Sequence, residues 1–186
     1  KMSIAETLRT VEISTGVTTI GSYSFSSCLD LESVSFSLNI TQIGENAFSN
    51  CPSLKIIKTS SSNKNYKTLD NVLYSKDGES LIFYPPNRKG RSFEIPPEVK
   101  TICTRSFCSC LNLRSITISS NVTTIEDDAF SNCQRLTSFK VEEDNPQFKV
   151  VDNILFTKDD HDLVRYPPGL SHENYSVPLN VARICP

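Results

Sequence analysis

A set of five apolar positions recurs along the chain at a spacing that constrains the fold more than any other feature. Ile20, Phe25, Cys28, Leu31 and Val34 are followed by Ile43, Phe48, Cys51, Leu54 and Ile57. The pattern returns as Ile102, Phe107, Cys110, Leu113 and Ile116, and again as Ile125, Phe130, Cys133, Leu136 and Phe139. Ile20 to Ile43 and Ile102 to Ile125 are both 23 residues, a period typical of stacked solenoid coils. A larger period of 82 residues separates Ile20 from Ile102 and Ile102 from Ile184. Asp70 to Tyr74 recurs as Asp152 to Phe156, and Tyr84-Pro85-Pro86 as Tyr166-Pro167-Pro168. Each 82-residue unit therefore reads as a 23-residue coil followed by a 59-residue coil. The expected domain is one solenoid over 1–186, with a partial coil 1–19, coils 20–42, 43–101, 102–124 and 125–183, and the start of another at 184–186. Leu8, Val11 and Ile13 continue a coil begun earlier, so the chain reads as a fragment of a longer array.

Within each coil the segment after the leucine alternates, as in Leu31-Glu-Ser-Val-Ser-Phe36 and Leu113-Arg-Ser-Ile-Thr-Ile118. Alternation is the signature of a strand with one buried face. Identical strands one coil apart must lie parallel, which stacks Val11, Val34, Ile57, Ile116 and Phe139 inside. Each such side chain contributes roughly 1.5–3 kcal/mol when fully buried. A second short strand is expected at Gly16 to Ile20, Asn39 to Ile43 and Asn121 to Ile125. The segment from Ala47 to Cys51 is too short for a long helix, and a helical or 3₁₀ turn that drives Phe inward is predicted there.

The outward strand positions form further ladders: Thr10 and Glu12, Ser33 and Ser35, Ile56 and Lys58, Ser115 and Thr117, Ser138 and Lys140. Ser and Thr suit a solvated, flat parallel sheet. The same ladders also suit a binding face, on which Ile56, Lys58 and Lys140 are the most informative contacts. Both readings stand at this stage. The long coils carry an insertion that reads as a β-hairpin over 72–84, with Asp77-Gly78 as its turn, and again over 154–166. Pro85-Pro86 and Pro167-Pro168 end the hairpins, because proline cannot donate to a ladder. Placed outside the repeat ladders, the hairpins would offer Tyr74, Tyr84 and Tyr166 as aromatic contacts. Asn87 to Arg91 reads as a solvated basic loop tip.

Charge and chemistry narrow the functional classes. A net charge of −2 over 186 residues argues against nucleic acid and against an anionic membrane surface as partners. No apolar run is long enough to insert in a bilayer, and no signal-peptide pattern opens the chain. The two histidines, His161 and His172, fall in the inserted region. Asp159-Asp-His-Asp162 aligns with the turn Asp77-Gly-Glu-Ser80, so a hairpin turn is expected rather than a metal site. No phosphate loop or nucleophile elbow is present. No catalytic residue, metal site or cofactor is assigned.

The pattern Ile-x-x-x-Ala-Phe-x-x-Cys-x-x-Leu-x-x-Ile, with Leu73-Tyr-Ser-Lys-Asp-Gly78 and Tyr84-Pro-Pro86, resembles the BspA-like leucine-rich repeats over nearly the whole chain. The resemblance implies a β-rich right-handed solenoid: a leucine-rich-repeat horseshoe with a parallel sheet, short helical turns and two inserted hairpins. It also implies a surface protein of bacteria or trichomonad-type protozoa that adheres to proteins or glycans on host cells, matrix or other microbes. It transfers no catalytic residues, because the motif residues are core residues, and fold alone does not fix function. A structural spacer and an intracellular interaction scaffold are the alternatives.

Seven cysteines raise the question of disulfides. Cys28, Cys51, Cys110 and Cys133 share one inward repeat position, where stacked side chains point the same way and cannot bridge easily; buried thiols are expected. Cys103 and Cys185 share another position, and Cys108 is the expected exposed thiol. Asn39-Ile-Thr, Asn121-Val-Thr and Asn174-Tyr-Ser are glycosylation sequons, although the repeat itself favours Asn at the first two as a turn residue.

Overall fold

The computed structural model describes residues 7–186; residues 1–6 of the partial first coil lie outside it. The chain opens with β1 (Thr10–Glu12), β2 (Thr19–Ile20), β3 (Ser33–Phe36), β4 (Gln42–Ile43) and β5 (Ile56–Thr59). The first insertion supplies β6 (Tyr66–Leu69), β7 (Val72–Ser75) and β8 (Ser80–Phe83). Then come β9 (Ser92–Glu94), β10 (Thr101–Ile102), β11 (Ser115–Ile118), β12 (Thr124–Ile125) and β13 (Ser138–Val141). The second insertion supplies β14 (Phe148–Val151), β15 (Ile154–Thr157) and β16 (Asp162–Arg165), before β17 (Arg183–Ile184).

The long strands stack in parallel as two sheets, β1-β3-β5 and β9-β11-β13. Val11 sits opposite Val34, and Val34 opposite Ile57; Phe93, Ile116 and Phe139 form the matching row. These are the stacks that alternation predicts. Leu31, Leu54, Leu113 and Leu136 are all 0% exposed. The short strands form a second parallel ladder in which Ile20 faces Ile43 and Ile102 faces Ile125.

Two expectations change. Among the described residues the segments after the short strands are turns, not helices. Each regular coil places two residues four apart in the left-handed region: Tyr23 and Ser27, Asn46 and Asn50, Arg105 and Ser109, Asp128 and Asn132. A right-handed helical turn cannot run through such residues. Instead the backbone turns outward to bond with the next coil, through Phe25 N to Ala47 O (2.9 Å) and Ser27 N to Ser49 O (2.9 Å). The approach is close enough at Gly44 that a Cβ would lie 2.3 Å from Ser22 N, so that position excludes any side chain.

The insertion is not a hairpin outside the ladders. It is a three-stranded antiparallel meander, β6-β7-β8, and its last strand belongs to the solenoid. β8 pairs in parallel with β10, putting Leu81 opposite Ile102; likewise β16 pairs with β17, putting Leu163 opposite Ile184. The stretch 43–101 thus holds two rungs, at Ile43 and Leu81, and the second turn is only 21 residues long, from Leu81 to Ile102. β7 is buried on both sides. Leu73 packs into the core of the preceding coils, while Val72 and Tyr74 pack into the core of the following ones. β15 divides the stack in the same way, with Leu155 on one side and Ile154 and Phe156 on the other. The insertions are partitions within the solenoid.

A buried asparagine starts each partition. Asn63 Nδ2 donates to Ser37 O and Ile40 O (both 3.0 Å), and its Oδ1 accepts from Asn65 N and Tyr66 N (both 2.8 Å). Asn145 repeats the arrangement with Ser119 O, Val122 O, Gln147 N and Phe148 N. One amide therefore satisfies four backbone groups where the chain leaves the regular coil, as buried polar groups require.

Candidate functional site

The outward side of the long strands is where register and charge combine. Thr10, Ser33 and Ile56 stand in one row, and Glu12, Ser35 and Lys58 in the next. The later sheet repeats this with Ser92, Ser115 and Ser138, and with Glu94, Thr117 and Lys140. Both sheets thus carry the row glutamate, hydroxyl, lysine, related by the 82-residue unit. Neighbouring strands are about 4.8 Å apart, so the glutamate and lysine backbones of one row are roughly 10 Å apart. Glu12, Lys58, Glu94 and Lys140 make no side-chain hydrogen bond or ion pair among the described residues. All four are exposed. Their charges face solvent.

Other surface pairs are spent on the fold. Glu32 bridges Arg9 and Lys55, and the lysine beside Glu32 holds its carboxyl below the ordinary range. Glu79 pairs with Lys100, and Arg105 with Asp128. These residues tie one coil to the next.

The structure brings Ile56, Lys58, Ser115, Thr117, Ser138 and Lys140 onto the outward side of the long strands together with Glu12, and adds Glu94. Glu94 was missed in the sequence because β9 was hidden inside a 59-residue coil. Two of the tyrosines do not belong to any surface. Tyr74 is 2% and Tyr84 1% exposed, since β7 lies between two cores and Tyr84 stacks on Phe107 with ring centroids 5.1 Å apart. Burial pushes both phenols up. Tyr166 is half-buried, its hydroxyl 3.0 Å from His172 Nδ1. The basic loop is also more than a solvated tip: Arg88 lies 5.3 Å from the Tyr84 ring centroid and 5.4 Å from that of Phe93, and its Nε donates to Asp70 O.

The sequon asparagines Asn39, Asn121 and Asn174 are exposed. Asn39 Nδ2 donates to Thr15 O (2.7 Å) and Asn121 Nδ2 to Pro97 O (2.8 Å), which gives the repeat its own reason for asparagine at those turns. Cys28, Cys51, Cys110 and Cys133 are buried free thiols, and Cys103, Cys108 and Cys185 are free thiols of intermediate exposure, so Cys108 is not set apart as the exposed one. Desolvation pushes Cys51 and Cys103 up to about 11, so both are protonated thiols near neutral pH and poor nucleophiles. Asp159 caps the second hairpin turn by accepting from Thr157 Oγ1 and His161 N. No three His, Cys, Asp or Glu side chains converge on a metal-sized site among the described residues. No described helix is long and apolar enough to cross a membrane.

Comparison with known proteins agrees with this geometry. Residues 4–77 and 79–161 match the BspA type leucine rich repeat region, in six copies. A leucine rich cell surface protein from Faecalibacterium prausnitzii A2-165 is 32% identical over 73% of this chain, with a TM-score of 0.59. The aligned part is 42% of that protein, so the chain spans less than half its length. The pneumococcal vaccine antigen PcpA shares the fold at 17% identity, covering 95% of this chain and 62% of the antigen, with a TM-score of 0.50. No curated protein matches. Solenoids of this kind typically act as interaction scaffolds rather than enzymes. On the family match and the repeat geometry together, the chain belongs to the BspA-type leucine-rich repeat family.

Proposed function

We propose that the chain is a recognition module of a cell-surface or secreted protein, binding a protein or glycan on a host cell, in matrix or on another microbe. The observation that carries this reading is the repeated row of unpaired charges, Glu12-Ser35-Lys58 and Glu94-Thr117-Lys140. Exposed opposite charges about 10 Å apart add little to the stability of the sheet that carries them. A partner with its own alternating charges, or a glycan offering hydroxyls and carboxylates, would engage both rows at once and gain from the linkage. Ile56 in one sheet, and Ser115 and Ser138 in the other, form the adjoining rows, and Tyr166 is the remaining proposed aromatic contact. Glycans on Asn39 or Asn121 would sit at turns beyond this sheet, and one on Asn174 in the irregular stretch after β16. The cell-surface name of the Faecalibacterium relative supports the location.

Reversing the lysines tests the reading. Lys58→Glu with Lys140→Glu should reduce binding to cells or matrix about tenfold or more, with a steep loss as salt rises. The converse reversal, Glu12→Lys with Glu94→Lys, should weaken binding through the other end of each row. Melting curves must first show every variant folded. Folded variants that bind as well as the parent would remove this face as the site.

A further inference from the structure

The short turn 81–101 leaves a gap in the stack. In a regular coil five residues separate the rung from the stacked aromatic, as from Ile20 to Phe25 and Ile102 to Phe107; here only three separate Leu81 from Tyr84. Two residues of the outward turn are missing, and with them the left-handed pair that every regular coil carries. The gap is a groove of about 230 Å³ between the turns 43–50 and 103–108. Ile82, Phe83 and Pro86 line its floor, and Phe83 continues the aromatic stack at 5.9 Å from Phe48.

The missing residues also leave backbone donors without partners. Phe25 and Ser27 donate to the next coil's Ala47 O and Ser49 O, and Phe107 and Ser109 donate to Ala129 O and Ser131 O. The equivalent donors, Phe48 N and Asn50 N, belong to residues that line the groove and find no acceptor among the described residues. Arg105 reaches across from the far wall, its Nη1 donating to Asn46 Oδ1 at 3.0 Å, but this satisfies neither amide. At the rim Arg105 is neutralised by Asp128. Glu126 accepts from Thr104, and Glu45 has no side-chain partner among the described residues. The rim is therefore acidic on balance.

We infer that this groove binds an extended peptide segment of a protein partner, in which an aromatic or branched apolar residue is followed by a basic one. The segment supplies the backbone that the short turn lacks. Its carbonyls accept from Phe48 N and Asn50 N, its apolar side chain rests on Ile82 and Phe83, and its basic residue meets Glu45. Main-chain bonds give such a site affinity and the side-chain pocket gives it selectivity. An apolar cavity of about 150 Å³ already holds a benzene ring, so the volume suits one aromatic side chain. The inference is independent of the charged rows on the long strands, which lie on a different part of the coil.

The second unit differs at the floor. A groove between turn 123–130 and residues 183–186 has a different lining, and in it Arg165 stands where Phe83 does, its Nη2 donating to Phe130 O. A cation in the floor opposes a basic, apolar peptide.

The test uses amide NMR on the intact chain with the capped tetrapeptide Gly-Phe-Lys-Gly, and with Gly-Ala-Lys-Gly and Gly-Phe-Glu-Gly as comparators. In the free protein the Phe48 and Asn50 amides should exchange at least tenfold faster than those of Phe107 and Ser109. The Phe-Lys peptide should shift Phe48 and Asn50 saturably at roughly millimolar concentration, and either comparator should bind at least several-fold more weakly. Phe83→Arg, which copies a residue the second unit accommodates, should abolish the shifts, and the surface change Glu45→Gln should reduce affinity about threefold for the Phe-Lys peptide but not for Gly-Phe-Gly-Gly. Protected Phe48 and Asn50 amides in the free protein would overturn the inference. So would absent shifts at those amides, or shifts that persist in folded Phe83→Arg. Should Phe83→Arg unfold, the Glu45→Gln comparison decides alone, equal affinity for the Phe-Lys peptide overturning it.

Discussion

In the first partition coil, residues 43–101, Arg88 lies over the ring of Tyr84, which also stacks on Phe107 of the next coil; in the second, residues 125–183, Leu170 stands where Arg88 does, and Tyr166 packs against His172 and Tyr175. The skeletons of the two coils are the same. Both begin on a buried asparagine, both turn through an Asp-Asn pair in the left-handed region, at Asp70-Asn71 and Asp152-Asn153, and both return a strand to the ladder. What differs lies on top of that skeleton: Gly78 against Asp160, Ser80 against Asp162, Phe83 against Arg165, Arg88 against Leu170. The asparagines that satisfy backbone groups are the same in both units, and the residues that divide the cores stay large and apolar or aromatic, Val72-Leu73-Tyr74 becoming Ile154-Leu155-Phe156, because a smaller or polar residue there would leave a cavity or a buried donor. Residues at the turn tip and groove floor are free to diverge. The comparison separates what makes the partition from what one unit shows to a partner.

The largest expected effect would break that equivalence if it differed between units. Asn63→Ala and Asn145→Ala each strip partners from four backbone groups, and each should cost about 3–5 kcal/mol, read as a fall in chemical-denaturation midpoint. A large loss in one and a small loss in the other would mean that the partitions are not equivalent structures. Arg88→Ala removes contacts the second unit never makes. Losing the guanidinium over two rings and its bond to Asp70 O should cost about 1–2 kcal/mol. If the melt does not move, Arg88 only decorates a loop.

The turn tips offer a finer contrast. Gly78 has a φ of 91° and Asp160 one of 64°, so Gly78→Ala should destabilise by about 1 kcal/mol. Asp160→Gly relieves a comparable backbone cost but loses the bridge to Lys149, and should come out within about 0.5 kcal/mol of neutral. Equal losses at both sites would show that backbone conformation does not govern these turns.

The smallest effect is local and depends on pH. Asp162 is hydrogen-bonded to Arg183 and then to His161, and both hold its carboxyl below the ordinary range. A carboxyl depressed in the folded state contributes stability above its unfolded value, and that contribution is lost as pH falls through the depressed value. Amides of β16 and β17 should therefore lose exchange protection in acid before those of β8 and β10, where Ser80 replaces the carboxyl. Asp162→Asn should remove the difference.

The coil repeat was legible in particular residues. Leu31, Leu54, Leu113 and Leu136 are spaced and buried as the pattern predicts, and Val34 pairs with Ile57 as alternation requires. The insertions were less legible. The hairpin strands 72–75 and 80–83 were visible, but β6 was not: Tyr66-Lys-Thr-Leu69 has no strong alternation and is held as a strand by its partner β7. Tyr74 and Tyr84 read as surface aromatics because a hairpin appended to a coil exposes one face. Asn63 carried no signal within one unit, though its return as Asn145 after 82 residues was available.

What the sequence alone determined is the periodic part: the 23- and 82-residue repeats, the parallel register and the inward Phe, Cys and Leu positions. Those follow from local identity, since equal spacing of equal side chains allows only one way for neighbouring coils to bury them together. Only the tertiary structure decided which strand lies beside which once the period broke. Whether β7 has one covered face or two, whether Leu81 is a rung, and whether Phe48 N meets a carbonyl all depend on contacts between residues far apart in the chain. The two-residue deletion before Tyr84 is nearly invisible as sequence. In three dimensions it removes a turn, leaves two amides without acceptors and opens the groove, because each coil's backbone bonds are completed by the next coil.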